Sequence, residues 1–215
     1  MINDIIFNDE ISAYNDWNIV LTKSEIPFPD VKTSTVDIKG ADGVLDLSEA
    51  LNGEVKYKNR NIKLTFELLD DTDYTELIGR IGAYLHGKLI TFQFTNDSLY
   101  YYKGRATINK WECVKRKGEL VIAIDCEPYK YRVNETTINV EVQGEETTVI
   151  LTNERQRVYP TLYVQGDVTM MCNNTVYEMS DGVYKLLTFY LVEGDNKITL
   201  NGNGSVKFTY RMGAL

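Results

Sequence analysis

Residues 62–68 read Ile-Lys-Leu-Thr-Phe-Glu-Leu, with an apolar side chain at every second position. A period of two is the pattern of a β-strand that buries one face and exposes the other. The same alternation occurs at Val36 and Ile38 and at Val55 and Tyr57. Further segments rich in the β-branched and aromatic residues of strands are 88–95, 100–113 and 120–126. The sequence therefore predicts a mainly β fold.

One helix is predicted among these strands. The segment Asp73-Tyr74-Thr75-Glu76 resembles a capping box, with Asp73 in the capping position and Glu76 three residues later. An apolar stripe at helical spacing follows, formed by Leu77, Ile78, Ile81 and Leu85. Gly87 provides a C-terminal stop. The N-terminal half is therefore predicted to be an α+β domain in which one helix packs on a sheet.

The chain changes character near residues 131–134. At 215 residues it is long enough for two small domains. After the boundary, short strands alternate with turn residues, as in a β-sandwich or jelly roll. The predicted strands are 138–142, 147–152, 161–164, 168–172, 175–179, 186–192, 197–200 and 206–211. Two of the predicted turns are Gly166-Asp167 and Asn201-Gly202-Asn203-Gly204. The predicted domains are 1–132 and 133–215.

The segment 26–51 is too irregular for a long strand. It contains Pro27 and Pro29, a turn-rich stretch from Gly40 to Gly43, and then a second apolar stretch. We expect an extended arm or belt that packs on another surface. The residues predicted to form an oligomer interface are Asp42, Gly43, Leu45, Asp46, Leu47 and Leu51. The alternative is that this arm only crosses the surface of its own domain.

The charge balance argues against a nucleic-acid binder. The chain has 23 Lys and Arg against 31 Asp and Glu, a net charge of -8, whereas phosphate binding needs a basic surface. The basic run Lys115-Arg116-Lys117 precedes Gly118 and is expected to be a hairpin tip. Three cysteines without CxxC spacing predict reduced thiols. There is neither a signal-peptide pattern nor an apolar run of roughly 18 residues, so no membrane insertion is expected.

No constellation of catalytic residues is found, so the chain is not predicted to be an enzyme and no cofactor or metal is expected. Its single histidine, His86, falls in the last turn of the predicted helix, where a structural role is expected. Residues 82–89 nearly match a phosphate-binding loop. In such a loop a strand must precede the glycines and a helix must follow them, whereas here the order is reversed.

Five segments, in order along the chain, resemble the distal tail protein (Dit) family of phages with long, non-contractile tails. The first is Phe7-Asn8, followed by the predicted strand at Trp17-Asn18-Ile19-Val20-Leu21. The second is 38–47 running into 55–67, and the third is Leu85-His86-Gly87-Lys88 with Tyr102-Lys103-Gly104-Arg105. The fourth is the boundary Cys126-Glu127-Pro128-Tyr129-Lys130-Tyr131. The fifth is Gly194-Asp195-Asn196-Lys197-Ile198, with Gly202-Asn203-Gly204-Ser205-Val206 and Tyr210-Arg211 after it. Together they span nearly the whole chain.

The resemblance implies a structural component of a phage tail tip or baseplate hub. It implies a hexameric ring, single or stacked, built by the N-terminal domain, with an outward C-terminal domain of galectin-like β-sandwich fold. The implied partners are the tail-tube protein, the tail-associated spike or lysin, and receptor-binding proteins. DNA would pass through the lumen without stable binding. The resemblance places the protein in the virion tail tip after assembly in the host cytoplasm.

Two other functions remain open at this point. One is a carbohydrate-binding module of the tail tip that engages the host cell wall, since sandwich domains often bind sugars in shallow grooves. Both tryptophans, Trp17 and Trp111, lie in the N-terminal half, and no Trp or His follows residue 133. A glycan array would separate this module from a ring. The third candidate, a hydrolase, has no carboxylate pair to mark it.

Overall fold

The computed structural model describes residues 4–50, 53–69, 74–114 and 117–215. These residues form two compact units, one comprising the chain up to Lys130 together with Leu215, and the other Tyr131–Ala214. Strands dominate both units, so the mainly β prediction is confirmed. Within the described ranges, neither helix is long and apolar enough to cross a membrane.

The N-terminal unit is built on an antiparallel sheet with the strand order β2-β1-β7-β8-β9-β6-β3. A separate hairpin, β4-β5, lies outside this sheet. The elements are β1 (Ile5–Phe7), β2 (Ile11–Ser12), α1 (Ala13–Trp17), β3 (Ile19–Glu25), β4 (Thr35–Asp37), β5 (Val44–Asp46), β6 (Arg60–Leu68), α2 (Tyr74–Leu85), β7 (Leu89–Phe94), β8 (Tyr100–Val114) and β9 (Lys117–Cys126).

Strand β6 buries the apolar side chains of its alternating pattern. Ile62, Leu64 and Phe66 are fully buried, while Lys63 and Glu67 on the other face are exposed and Thr65 is half-buried. Helix α2 contributes Leu77, Ile81 and Leu85 to the same core. The predicted strand around Val55 and Tyr57 is wrong, because Tyr57 makes only an isolated bridge. A pattern of only two alternating apolar residues is too short to predict a strand when no adjacent strand pairs with the segment.

A second, short helix was not predicted. Helix α1 has only five residues, fewer than a periodic pattern needs to be recognised. Ser12 caps it by accepting a hydrogen bond from the Asn15 backbone N–H at 2.8 Å, and the Asp16 carboxylate accepts one from the Ser12 N–H at 2.7 Å. Helix α2 begins at Tyr74 in the described chain. Its predicted cap, Asp73, lies outside the described residues, as do Lys115 and Arg116.

The three thiols differ sharply in accessibility. Cys113 is exposed, whereas Cys126 and Cys172 are buried. Burial raises the pKa of Cys126 to about 12 and also raises the pKa of Cys172. Because the thiolate is the reactive form, burial protects these two sulfurs both sterically and by protonation.

Thiol labelling of the native protein at pH 8 is expected to modify Cys113 alone. A pKa of about 12 leaves about one Cys126 in ten thousand ionised at that pH. Reaction with an aromatic disulfide reagent, followed by peptide mass spectrometry, measures this. The same reaction in denaturant should label all the thiols. Rapid labelling of native Cys126 would contradict the burial described here.

The C-terminal unit is organised around two long strands, β13 and β16. Its elements are β11 (Thr136–Gln143), β12 (Thr147–Asn153), β13 (Thr161–Cys172), β14 (Thr175–Met179), β15 (Gly182–Tyr184), β16 (Gly194–Tyr210) and β17 (Gly213–Ala214), preceded by β10 (Lys130–Arg132), whose first residue is the last one of the N-terminal unit before Leu215. One end of β16 pairs with β12 and the other with β11, and β13 pairs with β14 and β15 in the same way. Strand β10 pairs with β17.

The predicted turns at Gly166-Asp167 and at residues 201–204 are wrong, because β13 and β16 run through them. Gly166 (φ 79°) and Gly202 (φ 118°) instead allow both strands to bend where they pair. Alternate residues on either side of the bend, such as Leu200 and Val206, enter one core. A single sheet is therefore folded over itself to form the two layers of the sandwich.

The segment 186–192 was predicted to be a strand, and the structure shows a loop instead. Only Leu191 forms a bridge, to Val158. Phe189 and Leu191 are nevertheless buried in the core, which explains the apolar sequence of this segment. The buried Asn196 holds the loop, since its Oδ1 accepts from the Val192 N–H at 2.9 Å and its Nδ2 donates to the Leu151 carbonyl at 3.1 Å.

Substitution of Asn196 by alanine is expected to lower the free energy of unfolding by about 2–4 kcal/mol. The substitution leaves the Val192 N–H and the Leu151 carbonyl without their buried partner, and such orphaned groups cost about 1–3 kcal/mol each. Urea unfolding followed by circular dichroism measures the change. Asn139→Ala is the matched control, because Asn139 is exposed on β11. Equal stability of the two variants would refute this role for Asn196.

Candidate oligomer interface

The arm between β3 and β6 is anchored at its base. Val31 and Tyr57 form an antiparallel bridge. The Lys32 N–H donates to the Lys56 carbonyl and the Lys58 N–H donates to the Asp30 carbonyl, both at 2.8 Å. These hydrogen bonds tie the two ends of the arm together, so both ends of the arm are held at the same place.

Within this arm, β4 and β5 form a two-stranded hairpin. Val36 lies opposite Leu45, and Asp37 lies opposite Val44. Below the strands, the Leu47 N–H donates to the Ser34 carbonyl at 2.7 Å. Neither strand is hydrogen-bonded to the main sheet of the unit. The hairpin is therefore held by its own ladder and by its base.

The tip of the hairpin depends on two glycines. Gly40 and Gly43 have φ angles of 88° and 76°, which residues with a Cβ atom rarely adopt. The Ala41 N–H donates to the Ile38 carbonyl at 3.1 Å and closes the turn. Asp42 and Gly43 are exposed at this tip. The turn-rich sequence of the arm thus encodes a hairpin end.

The hairpin has an apolar face that the described part of the chain leaves uncovered. Directly opposed residues of an antiparallel pair project on the same face, so Val36 and Leu45 lie side by side. The alternation extends to Ile38 and Leu47, which follow the two strands. The exposed fractions of the four side chains are 46% for Val36, 47% for Ile38, 48% for Leu45 and 37% for Leu47. We call these residues the apolar face of the arm.

Asp46 projects on the other face and stabilises the end of the hairpin. Its Oδ1 accepts hydrogen bonds from the hydroxyl of Ser48 and from the Ser48 N–H, the latter at 2.8 Å. These hydrogen bonds lower the pKa of the Asp46 carboxyl. Ser48 Oγ in turn accepts from the Ser34 N–H at 2.9 Å. The sequence did not indicate this structural role of Asp46.

Five of the residues predicted to form an interface lie together on this hairpin: Asp42, Gly43, Leu45, Asp46 and Leu47. Leu51 lies outside the described residues. The prediction omitted Val36 and Ile38, although their alternation with Thr35 and Asp37 marks them as one face of a strand. It also omitted Phe28, which is 80% exposed near the base of the arm. A role in oligomerisation stays a prediction for all of them.

His86 has a structural function in the fold. Its Nδ1 accepts a hydrogen bond from the Ile108 backbone N–H at 3.1 Å, next to the irregularity between Ile108 and Lys110 in β8. The side chain therefore ties the end of α2 to the sheet. Across the residues that the structure describes, no cluster of three or more His, Cys, Asp or Glu could hold a metal ion.

The chain is similar in structure, but not detectably in sequence, to known proteins. No protein-family model matches it, and no curated protein matches its sequence. The crystal structure of Dit (gp 19.1) from phage SPP1, described as a paradigm of the hub adsorption apparatus in phages that infect Gram-positive bacteria, superposes with a TM-score of 0.66 at 14% identity. The baseplate of phage p2 in its activated conformation with Sr gives a TM-score of 0.46 at 7% identity, over 98% of each chain.

The likeness to the SPP1 protein extends from end to end. It covers 99% of this chain and 100% of the other, so both units and their order along the sequence are included. At this level of identity the likeness establishes architecture and leaves function to be argued from the site. Over 99% of its length, the chain has the fold of the SPP1 Dit protein.

Proposed function

We propose that this chain is a non-enzymatic structural subunit of a phage tail tip, and that the arm joins one copy to the next in a ring. The observation that carries the proposal is the uncovered apolar face of the arm on a chain with the Dit fold from end to end. A hexamer is the proposed ring size, following the resemblance to the distal tail family.

The physical case for an oligomer begins with the instability of the arm alone. A two-stranded hairpin is marginal in water unless a third element covers it. Fully burying a Val or Leu side chain stabilises by about 1.5–3 kcal/mol, and these side chains are about half exposed. Covering the four together would contribute about 3–6 kcal/mol per contact. In a closed ring with heterologous contacts, each copy buries the apolar face of its neighbour's arm, so the stabilisation is repeated at every contact.

The remaining parts of the proposal concern the partners. The ring would join the tail-tube protein to the tail-associated spike or lysin and carry receptor-binding proteins. DNA would pass through its lumen without being held, which is compatible with a chain of net charge -8. The proposed location is the tail tip of the virion, after assembly in the host cytoplasm.

The mass of the purified protein in solution tests the ring. Light scattering after gel filtration should give about six times the 24.6 kDa of one chain, or a multiple of that for stacked rings. Electron microscopy of the same fraction should show closed particles with a central hole. A protein that stays at 24.6 kDa at all concentrations would contradict assembly by this chain alone.

A further inference from the structure

The outer surface of the folded sheet in the C-terminal unit carries a continuous patch of polar side chains. The strand registers place nine outward-pointing residues in three adjacent rows, each crossing three strands. The rows are Glu141, Ser205 and Gln165; then Gln143, Asn203 and Asp167; then Asn201, Thr169 and Glu178. We call these nine residues the polar face.

The composition of the polar face is unusual for a sheet. Asn and Asp are depleted from strands because their side chains fit a pleated surface poorly, yet Asn201, Asn203 and Asp167 occupy central strands here. None of the nine side chains is basic and none is aliphatic. Thr would be the better strand-forming polar residue at these positions, so strand stability does not explain the composition of the polar face.

Two hollows lie within the polar face, on either side of Asn203. One has a volume of about 530 Å³ and is lined by Asp167, Thr169 and Glu178 among others. The second has a volume of about 480 Å³ and is lined by Glu141, Gln143, Gln165 and Ser205 among others, with Asn203 shared by both. Both volumes fall in the range of small-molecule pockets, roughly 300–1,000 Å³. Backbone without side chains, at Gly202 and Gly204, forms part of their floors.

The amide groups around the hollows are available for a ligand. Across the described chain, no hydrogen bond engages the side chains of Gln143, Gln165 or Asn203. Each carboxamide offers two donors and an acceptor. The carboxylates of Glu141, Asp167 and Glu178 add acceptors only, and they stand in different rows, too dispersed for a metal site.

This chemistry selects one class of ligand. Hydroxyl groups donate to carboxylates and both donate to and accept from carboxamides, so a polyhydroxylated molecule matches the hollows. Three of the nine residues are carboxylates and none is basic, so the polar face itself disfavours phosphate-bearing and other anionic polymers; Lys207, in the next row, is the nearest cation. We propose that the polar face binds a neutral oligosaccharide, with Asn203 contacting two sugar units at once.

Tyr163 lies where a sugar ring could stack. It points outward from β13 two residues before Gln165, so it adjoins the smaller hollow on the same surface. The residue is 40% exposed, and Lys207, directly opposite on β16, covers one face of the ring with its Nζ 4.3 Å from the centroid, so a sugar would stack on the other face. An exposed aromatic ring beside free amides provides the apolar and polar halves of a saccharide site.

A microarray of neutral and anionic oligosaccharides, probed with the full-length protein, tests the proposal. We expect retention of at least one neutral oligosaccharide, and calorimetric titration with that compound should give a binding constant. Asn203→Ala should weaken binding about tenfold, since it removes hydrogen bonds on both sides. Gln165→Ala, in the smaller hollow alone, should weaken it less.

Thr148→Ala is the matched control, because Thr148 is exposed on β12 of the same unit, outside the polar face. Thermal unfolding of each variant verifies that it is folded. The absence of any neutral ligand, retention of anionic glycans only, or unchanged binding by Asn203→Ala would overturn the proposal. All nine residues belong to one unit of one chain, so the result is independent of ring formation, which the solution mass reports separately.

Discussion

Replacing Leu45 and Leu47 together by lysine is expected to dissociate the proposed ring completely, leaving chains of 24.6 kDa. Each substitution removes an apolar side chain worth about 1.5–3 kcal/mol when buried and introduces an ammonium group whose desolvation is costly. In a closed ring every junction carries the same change, so the loss is repeated around the assembly. Light scattering after gel filtration measures the result.

The control carries the same added charge on the opposite face of the hairpin. Thr35→Lys with Val44→Lys places each lysine directly across from an aspartate, Asp46 and Asp37 respectively, so the hairpin itself should be retained. This variant should assemble as the unmodified chain does. If the Leu45 and Leu47 variant still formed an intact ring, the arm would not be the subunit contact. The subunits of the ring would then be joined by other surfaces.

Replacing Gly202 by alanine is expected to destabilise the C-terminal unit by about 3–5 kcal/mol. A Cβ atom at this position would lie 2.2 Å from the Asp167 carbonyl oxygen, which belongs to the paired backbone and cannot rotate away. The φ angle of 118° adds strain of about 1–3 kcal/mol for any residue with a side chain. Domains are stable by only about 5–15 kcal/mol, so much of the population should unfold at moderate temperature.

Gly194→Ala separates the two causes of this effect. Gly194 also has a positive φ, 90°, but nothing lies within 4 Å of an added Cβ atom. This variant should lose only the conformational contribution, about 1–2 kcal/mol. Denaturant unfolding followed by circular dichroism compares the two. If Gly202→Ala were no less stable than Gly194→Ala, the close strand contact at the bend would be disproved.

The alternating segments were predictable because a strand with one buried face needs only local information. Ile62, Leu64 and Phe66 satisfy the pattern within five residues, and the helix stripe at Leu77, Ile81 and Leu85 does so at helical spacing. The irregular arm was also visible, since its glycines and prolines exclude a long strand. That the arm forms a hairpin, and that Val36 and Leu45 share one face of it, could be seen only from the register of the two strands.

The asparagine of the Phe7-Asn8 pair shows what cannot be predicted from neighbouring residues in the sequence. Asn8 lies in the left-handed region and donates from Nδ2 to the Tyr84 hydroxyl at 3.0 Å, while its Oδ1 accepts from the Thr91 N–H at 2.9 Å. Its partners are 76 and 83 residues away in the chain. In the sequence this asparagine was noted only as part of the resemblance, and the contacts that explain it come from folding.

The polar face is the clearest case of residues united by the fold. Gln143, Gln165 and Asn203 come from three strands and share no motif, and only the register sets them side by side. The glycines at the bend were read as turns, since Gly and Asn usually end strands. Whether such a residue reverses the chain or bends a continuing strand depends on what pairs beside it.

The order of apolar and polar residues was sufficient to specify strands, a helix and an irregular arm, because each arises from contacts between near neighbours or from the burial of one face. The course of β13 and β16 through their glycines, the partners of Asn196 and the grouping of the nine polar side chains arise from hydrogen bonds between distant segments. Those bonds exist only once the sheet has closed, so no local pattern could encode them.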